Sequence, residues 1–201
     1  DCGGRRLILG QSQDSRGLIE APTGTGKSIG YLIPGIVAAV EQDKVLVVST
    51  ATASLQDQLA SKDLPVALKA LAGAGIEGVK WAVAKGRERH LCPIKLENLT
   101  NTTDLFKQGD KPLHDQIANI WESGSWDGVR DTLPIRIDRQ TWAQVSNTSA
   151  SCAGEGCPHY EGCPYYEAVG KAKSARVIIT NHDYLLANFA NVDNSYLCDG
   201  E

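Results

Sequence analysis

One glycine-rich segment constrains the fold of this chain more than any other feature: Ala21-Pro22-Thr23-Gly24-Thr25-Gly26-Lys27-Ser28. Gly24 and Gly26 let the backbone turn its N–H groups toward phosphate oxygens, and Lys27 supplies a positive charge for the β- and γ-phosphates of a nucleotide. The Ser28 hydroxyl is a Mg²⁺ ligand in such loops. We therefore expect all eight residues to bind a nucleoside triphosphate with Mg²⁺, and Lys27 and Ser28 also to take part in catalysis.

Apolar runs on both sides of this loop predict alternating strands and helices. The candidate strands are short runs at 17–20, 44–48, 79–83 and 176–180. Apolar residues at helical spacing predict helices over 27–40, where Pro34 would introduce a kink, and over 53–60. This alternation favours an α/β fold, in which a parallel sheet carries helices on both faces.

The middle of the chain has a different character. Residues 86–170 show weak periodicity and contain four of the six cysteines. We therefore predict an α/β domain made of residues 1–85 and 171–201, interrupted by an inserted cysteine-bearing domain at 86–170. Because this insertion looks poor in apolar residues, a bound metal would have to supply much of its folding free energy.

The cysteines of the insertion have the spacing of a metal centre. Three of them follow the pattern Cys152-x4-Cys157-x5-Cys163, and Cys92 precedes them alone. Four thiolates suit a [4Fe-4S] cluster or a tetrahedral zinc, but structural zinc sites more often use two tight pairs. Ordinary buried thiols are a further interpretation. Cys2 and Cys198 lie outside the group, and we expect them not to bind metal.

Composition excludes several classes of protein. The chain has 201 residues, 42% of them hydrophobic, so it can form a packed core. It has neither an apolar run of the roughly 20 residues that span a bilayer nor a secretion signal, so we expect a cytoplasmic protein without membrane contact. The chain contains no methionine and ends at Glu201 in an apolar stretch, and we expect it to be a fragment of a longer protein.

Two further groups of polar residues could contact a nucleic acid. Hydroxyl and amide side chains at 49–52 and 55–59 follow a predicted strand, where they suit either a phosphodiester backbone or an ordinary helix N-cap. Basic residues near the first cysteine could follow phosphates or could be a solvated surface: Lys85, Arg87, Arg89 and Lys95.

Taken together, these segments resemble the DinG family, bacterial helicases related to XPD. The resemblance rests on residues 20–28, 49–51, 55–59, 61–65, 85–87, 91–93, 126–131 and 180–186, together with the three clustered cysteines. It covers about residues 18 to 190, which is most of the chain. The cysteine pattern between the motor motifs is its most specific part.

The resemblance implies a superfamily 2 motor that hydrolyses ATP and moves 5′-to-3′ on single-stranded DNA. Such a protein would unwind DNA forks or loops in repair or replication, and we expect it to act as a monomer. The family implies a RecA-like first motor domain with an inserted [4Fe-4S] domain. By position, its cluster ligands fall on Cys92, Cys152, Cys157 and Cys163.

The chain departs from the family pattern in three respects. The acidic Asp-Glu-x-His motif, the glutamine motif that reads adenine and the second RecA-like domain do not occur in these 201 residues. We therefore expect this segment alone to be inactive. Two other interpretations stay open: a non-catalytic metal- or redox-dependent nucleic-acid-binding module with a vestigial loop, and a phosphate-loop kinase or GTPase with a zinc-binding insertion.

Overall fold

A computed structural model describes residues 19–22, 24–101 and 111–189 of the chain. The strands are β1 (Leu46–Thr50), β2 (Trp81–Val83) and β3 (Val177–Asn181). The helices are α1 (Lys27–Glu41), α2 (Ala53–Gln58), α3 (Leu64–Ala72), α4 (Pro93–Thr100), α5 (Lys111–Glu122), α6 (Arg139–Val145), α7 (Pro164–Lys173) and α8 (His182–Phe189). Within the described residues, no helix has the length and apolar character that a membrane crossing requires.

The chain divides into two compact units. Among the residues that the structure describes, the first unit combines 19–22 and 24–83 with 174–185, and the second combines 84–101 and 111–173 with 186–189.

The first unit is built on a parallel three-stranded sheet in the order β1-β3-β2. In β3, residues 177–180 are all buried, which explains the continuous apolar run in the sequence. The predicted α/β fold with a parallel sheet is therefore confirmed, although β1 begins two residues later than the predicted strand at 44–48. In the predicted strand at 17–20, Ile19 and Glu20 form no strand and the first two residues lie outside the description.

A single hydrophobic core holds the first unit together. Its fully buried members include Leu32 and Ile36 of α1, Leu64 of α3 and Ile179 of β3. The buried residues of α1 and α3 recur every three or four positions along each helix, as Leu32 and Ile36 do in α1. Each helix therefore turns one apolar stripe toward the core. Pro34 lies inside α1, as the apolar pattern predicted.

The helical segment after β1 is fixed at its beginning by polar contacts. The Thr52 hydroxyl accepts a hydrogen bond from the Leu55 N–H at 3.2 Å, as an N-cap residue does. One turn later, the buried Gln56 donates from Nε2 to the Ile179 carbonyl of β3 at 3.1 Å. Between α2 and α3 the backbone widens into a π-helical turn at Leu59–Asp63. The N-cap interpretation of this segment is therefore confirmed.

The second unit has a substantial hydrophobic core of its own. Its buried members are Leu91, Leu96, Ile117, Trp126, Trp142 and Val145. The indole of Trp126 donates to the Val129 carbonyl at 2.8 Å, and that of Trp142 donates to the Glu88 carbonyl at 2.8 Å. This segment therefore buries more apolar surface than its sequence suggested, and the share of its folding free energy that a metal would supply stays a prediction. Two tryptophans carry much of the buried apolar area.

Residues 90–92 run through the centre of the second unit and are bonded on two sides. Leu91 donates its N–H to the Gly128 carbonyl at 2.8 Å, and Cys92 donates to the Val145 carbonyl at 2.8 Å. His90 in turn accepts from the Asn147 N–H at 2.9 Å. These bonds fix the backbone position of Cys92.

Gly128 lies at a close approach within this unit. Its φ is +76°, and a Cβ atom there would lie 2.7 Å from Cβ of Pro164, closer still to Cγ of that proline, and 3.1 Å from the Trp121 ring. Gly124 has a similar φ of +66° with nothing within 4 Å of an added Cβ. The two glycines therefore separate the cost of backbone conformation from the cost of a clash.

We predict that Gly128→Ala destabilises the second unit more than Gly124→Ala does. Both variants place a side chain at positive φ, which costs about 1–2 kcal/mol. Only Gly128→Ala also forces Pro164 aside, which adds about 1–3 kcal/mol. Urea unfolding followed by tryptophan fluorescence measures the difference, because Trp121, Trp126 and Trp142 all lie in this unit. Equal stability of the two variants would contradict the close packing of Gly128.

Candidate functional site

The glycine-rich loop precedes α1 in the first unit, and its glycines have the conformation that the sequence predicts. Gly24 and Gly26 have φ values of +80° and +74°, and no atom outside the adjoining chain would meet a Cβ on either. Gly26 is the N-cap residue of α1 and provides no side-chain cap. The first N–H groups of this helix therefore remain available for an anion. Thr23 lies outside the described residues.

Side chains of the loop hold its shape. The Thr25 hydroxyl donates to the Pro22 carbonyl at 2.8 Å, and the exposed Lys27 amine donates to the Ala21 carbonyl at 2.8 Å. The lysine thus spans the opening of the loop, where it can exchange one backbone acceptor for phosphate oxygens. The residues present fit a nucleotide triphosphate: open glycines, one cation and the beginning of a helix.

Tyr31 is a residue of this site that sequence reasoning missed. It lies three positions after Ser28 on α1, so the two side chains share one face of the helix. Burial raises the pKa of Tyr31, and its hydrogen bond with the Ser28 side chain opposes that shift. The tyrosine therefore holds the hydroxyl that we expect to bind Mg²⁺. The spacing of three residues was the signal available in the sequence.

A second polar group lies where β1 and β3 end. The Ser49 hydroxyl and Nδ1 of His182 are 2.7 Å apart, although the residues are 133 positions apart in the chain. The Thr50 hydroxyl hydrogen-bonds the Thr52 carbonyl at 2.9 Å, and Oδ1 of Asn181 caps α8 by accepting from the Tyr184 N–H at 2.8 Å. Ligands of parallel sheets gather at the carboxyl ends of the strands, where this group lies.

The four predicted metal ligands all belong to the second unit, and none of them forms a disulfide. Cys92 precedes α4, and Cys163 precedes α7. Cys152 and Cys157 follow short 3₁₀ turns at Ser149–Ser151 and Gly154–Gly156. Cys163 is buried, whereas the other three are partly exposed.

Two of these thiols have opposite environments. Burial raises the pKa of the Cys163 thiol, and the neighbouring charges of Cys152 and Cys92 raise it further. At Cys152, burial alone would also raise the pKa of the thiol. There, hydrogen bonds from Gly154, Tyr166 and Asn147, with the charge of Arg87, outweigh burial and lower it. Cys92 and Cys152 therefore both influence the Cys163 thiol electrostatically.

Four thiols could bind a metal, but the described residues do not have the geometry of a single-ion site. Among the residues that the structure describes, no three His, Cys, Asp or Glu side chains could hold one metal ion. Sulfur ligands of one tetrahedral zinc lie about 3.8 Å apart, since each bond is about 2.3 Å. A [4Fe-4S] cluster binds each of its four thiolates through a different iron, so its ligands stand further apart.

The four basic residues near Cys92 are occupied within their own unit. The amine of Lys85 is 2.8 Å from Asp131 Oδ2, Arg89 is 3.2 Å from Oδ1 of the same carboxylate, and Lys95 donates to the Ser146 carbonyl at 2.8 Å. Arg87 lies over the ring of Tyr165, 4.1 Å from its centroid. These contacts favour a structural role for Lys85, which is only 9% exposed.

The loop before α1 and the parallel sheet together define an α/β domain that carries a phosphate-loop motif. The chain is also similar in sequence to proteins of known function. The ATP-dependent DNA helicase DinG of Escherichia coli K12 is 38% identical over 183 residues, covering 84% of this chain. Its counterpart in Salmonella typhimurium is 37% identical over 183 residues, and the ATP-dependent helicase DinG of Mycobacterium tuberculosis is 36% identical over 181. This chain belongs to the DinG family.

The match covers a limited part of these relatives. The chain spans about a quarter of their length, namely 25% of the Escherichia coli protein and 27% of the Mycobacterium tuberculosis protein. No protein-family model matches the chain.

We predict that Asp131→Asn destabilises the second unit by about 1–3 kcal/mol, because it leaves the buried Lys85 amine and Arg89 without their shared carboxylate. Asp43→Asn is the matched control, since the Asp43 carboxylate pairs with Arg176 but is 90% exposed. Breaking that pair should cost less than about 1 kcal/mol. Urea unfolding of both variants measures the two costs. If Asp131→Asn lowered the free energy of unfolding no more than Asp43→Asn does, the ion pair of Lys85 with Asp131 would not stabilise the second unit.

Proposed function

We propose that the protein containing this chain is an ATP-dependent DNA helicase, to which this chain contributes a RecA-like motor domain and a [4Fe-4S] domain. The observation that carries the proposal is the phosphate loop, with Lys27 and Ser28 at the beginning of α1, in a chain 38% identical to DinG helicases. The parallel sheet order β1-β3-β2 is consistent with a RecA-like domain.

The proposed reaction is in-line attack of water on the γ-phosphate of ATP. Lys27 would release the Ala21 carbonyl and bind the β- and γ-phosphates, neutralising charge that develops in the transition state. Ser28, oriented by Tyr31, would hold Mg²⁺, which supplies further positive charge at the same oxygens. The backbone N–H groups of residues 24–28 would bind the remaining phosphate oxygens.

Single-stranded DNA would bind at the ends of β1 and β3. Ser49, Thr50 and His182 offer small hydrogen-bonding groups there, and such groups contact the phosphodiester backbone without reading sequence. We propose that translocation has 5′-to-3′ polarity and that the substrates are DNA forks or loops. The protein would act in the cytoplasm as a monomer during repair or replication.

The [4Fe-4S] cluster would be held by Cys92, Cys152, Cys157 and Cys163. Cys92 and Cys152 influence the Cys163 thiol electrostatically, and the hydrogen bonds that Leu91 and Cys92 donate to the Gly128 and Val145 carbonyls fix the backbone at residues 91–92. When bound, the cluster would join distant segments of the second unit and provide a one-electron redox group. The hydrophobic core of this unit would leave its helices folded after cluster loss.

We predict that Lys27→Ala lowers ATP turnover about 10²- to 10³-fold, because it removes a charge that is needed most in the transition state. Steady-state ATPase of the whole protein with and without single-stranded DNA measures this. Lys69→Ala removes an exposed lysine from α3 and should leave turnover unchanged. Turnover of Lys27→Ala within twofold of the wild type would refute the nucleotide site. Turnover that DNA does not stimulate would favour a kinase or GTPase instead.

We predict that serine in place of Cys92, Cys152, Cys157 or Cys163 lowers the iron content, because each substitution removes one of four ligands. Anaerobically purified wild-type protein should contain about four irons per chain. Cys2→Ser and Cys198→Ser, which alter cysteines outside the described residues, serve as controls and should keep full iron content. Zinc in place of iron in the wild type, or a requirement for Cys2 or Cys198, would contradict this ligand assignment.

A further inference from the structure

Cys152 lies beside Tyr166 in the second unit, and Tyr166 in turn contacts Arg87, Tyr160 and Tyr165. The Tyr166 hydroxyl is 3.7 Å from the Cys152 sulfur, and Nη1 of Arg87 is 3.4 Å from the same hydroxyl oxygen. The Tyr166 ring packs against Tyr160 at 4.4 Å and meets Tyr165 edge-on at 5.2 Å. Tyr166 therefore has a fixed orientation and links a cation to one of the proposed cluster ligands.

We propose that Tyr166 is a positioning residue whose hydroxyl donates a hydrogen bond to the Cys152 sulfur and thereby raises the reduction potential of the cluster. This inference rests on the proposed [4Fe-4S] site. It concerns the tyrosine hydroxyl alone and leaves the identity of the four ligands unchanged.

The direction of the hydrogen bond follows from its partners. A guanidinium can only donate, so Arg87 occupies a lone pair of the Tyr166 oxygen. A metal-bound thiolate has no proton and can only accept. The single proton of the hydroxyl is therefore left for the Cys152 sulfur, and the Arg87 charge polarises the O–H bond toward stronger donation.

A hydrogen bond to a ligand sulfur stabilises the more negative form of a cluster. One electron enters from an external reductant, and the proton stays on the Tyr166 oxygen throughout. The added negative charge spreads onto the sulfur ligands. A hydrogen-bond donor at one of these sulfurs lowers the free energy of the reduced cluster, so the reduction potential rises. With the Tyr166 hydrogen bond, the cluster would thus be easier to reduce than with its four thiolate ligands and no such bond.

The test compares Tyr166→Phe with Tyr165→Phe in the whole protein, purified anaerobically with its cluster. Both variants lose one hydroxyl and keep the ring. The ring of Tyr165 makes a cation–π contact with Arg87, whereas the hydroxyl oxygen of Tyr166 contacts the Cys152 sulfur. Iron content is measured first. The cluster is then titrated with dithionite and redox mediators, and its reduction is followed by visible absorbance and electron paramagnetic resonance.

We expect Tyr166→Phe to keep its iron and to lower the equilibrium constant for reduction about three- to tenfold, which is about 30–60 mV for one electron. Tyr165→Phe should keep the wild-type potential. An unchanged potential in Tyr166→Phe, or an equal shift in both variants, would overturn the proposal. Loss of iron from Tyr166→Phe alone would also overturn it, since the hydroxyl would then retain the cluster instead of tuning it. Wild-type protein without iron would instead refute the proposed cluster itself.

Discussion

The first unit depends on the pairing of β3 with both of its neighbours. Without Val177–Asn181, β1 and β2 would have no common partner, and their carbonyl and N–H groups along that edge would be unpaired. The same strand brings His182 beside Ser49 and gives Gln56 an acceptor at Ile179. The sheet, the fixed beginning of α2 and the polar group at the strand ends therefore all rest on one segment, which follows the whole of residues 84–173.

The second unit combines two kinds of stabilisation that meet at residues 90–92. Burial lowers the pKa of His90 to about 4, so its ring is neutral near pH 7 and packs edge-on against Tyr165. On the other side, Leu91 enters the core with Trp126 and Trp142. The proposed ligand Cys92 thus follows directly from a packed apolar segment. An already ordered backbone lowers the entropic cost of gathering ligands.

Much of the first unit could be predicted from local patterns. The loop at 21–28 has a fixed spacing of glycine, lysine and serine, and Leu32 and Ile36 repeat at helical spacing, so α1 was placed within one residue of its end. Strand boundaries were less accurate, because the apolar run at 44–48 does not reveal that pairing with β3 continues through Thr50. The contact between Ser49 and His182 depends on that register and has no local signal.

The second unit was harder to predict for a physical reason. Its core residues come from separate elements, with Leu91 in an irregular segment, Ile117 in α5 and Trp142 in α6, so no one stretch of sequence reveals the whole core. The cysteines were singled out as candidate ligands by their spacing and by the family resemblance. Their surroundings were not, since Tyr166 and Asn147 approach Cys152 through tertiary folding, and their polar side chains give no pattern in the sequence.

The late position of β3 in the chain also has a consequence for synthesis on the ribosome. Residues 84–173 emerge before the strand that completes the sheet, and domains emerging first generally fold first. The first unit therefore has to wait with β1 and β2 unpaired along one edge. If residues 84–173 are already compact by then, the two ends to be joined are held closer than in an open loop, and loop closure costs less entropy. Folding of the second unit would thus help β3 to pair with β1 and β2 and complete the sheet of the first unit.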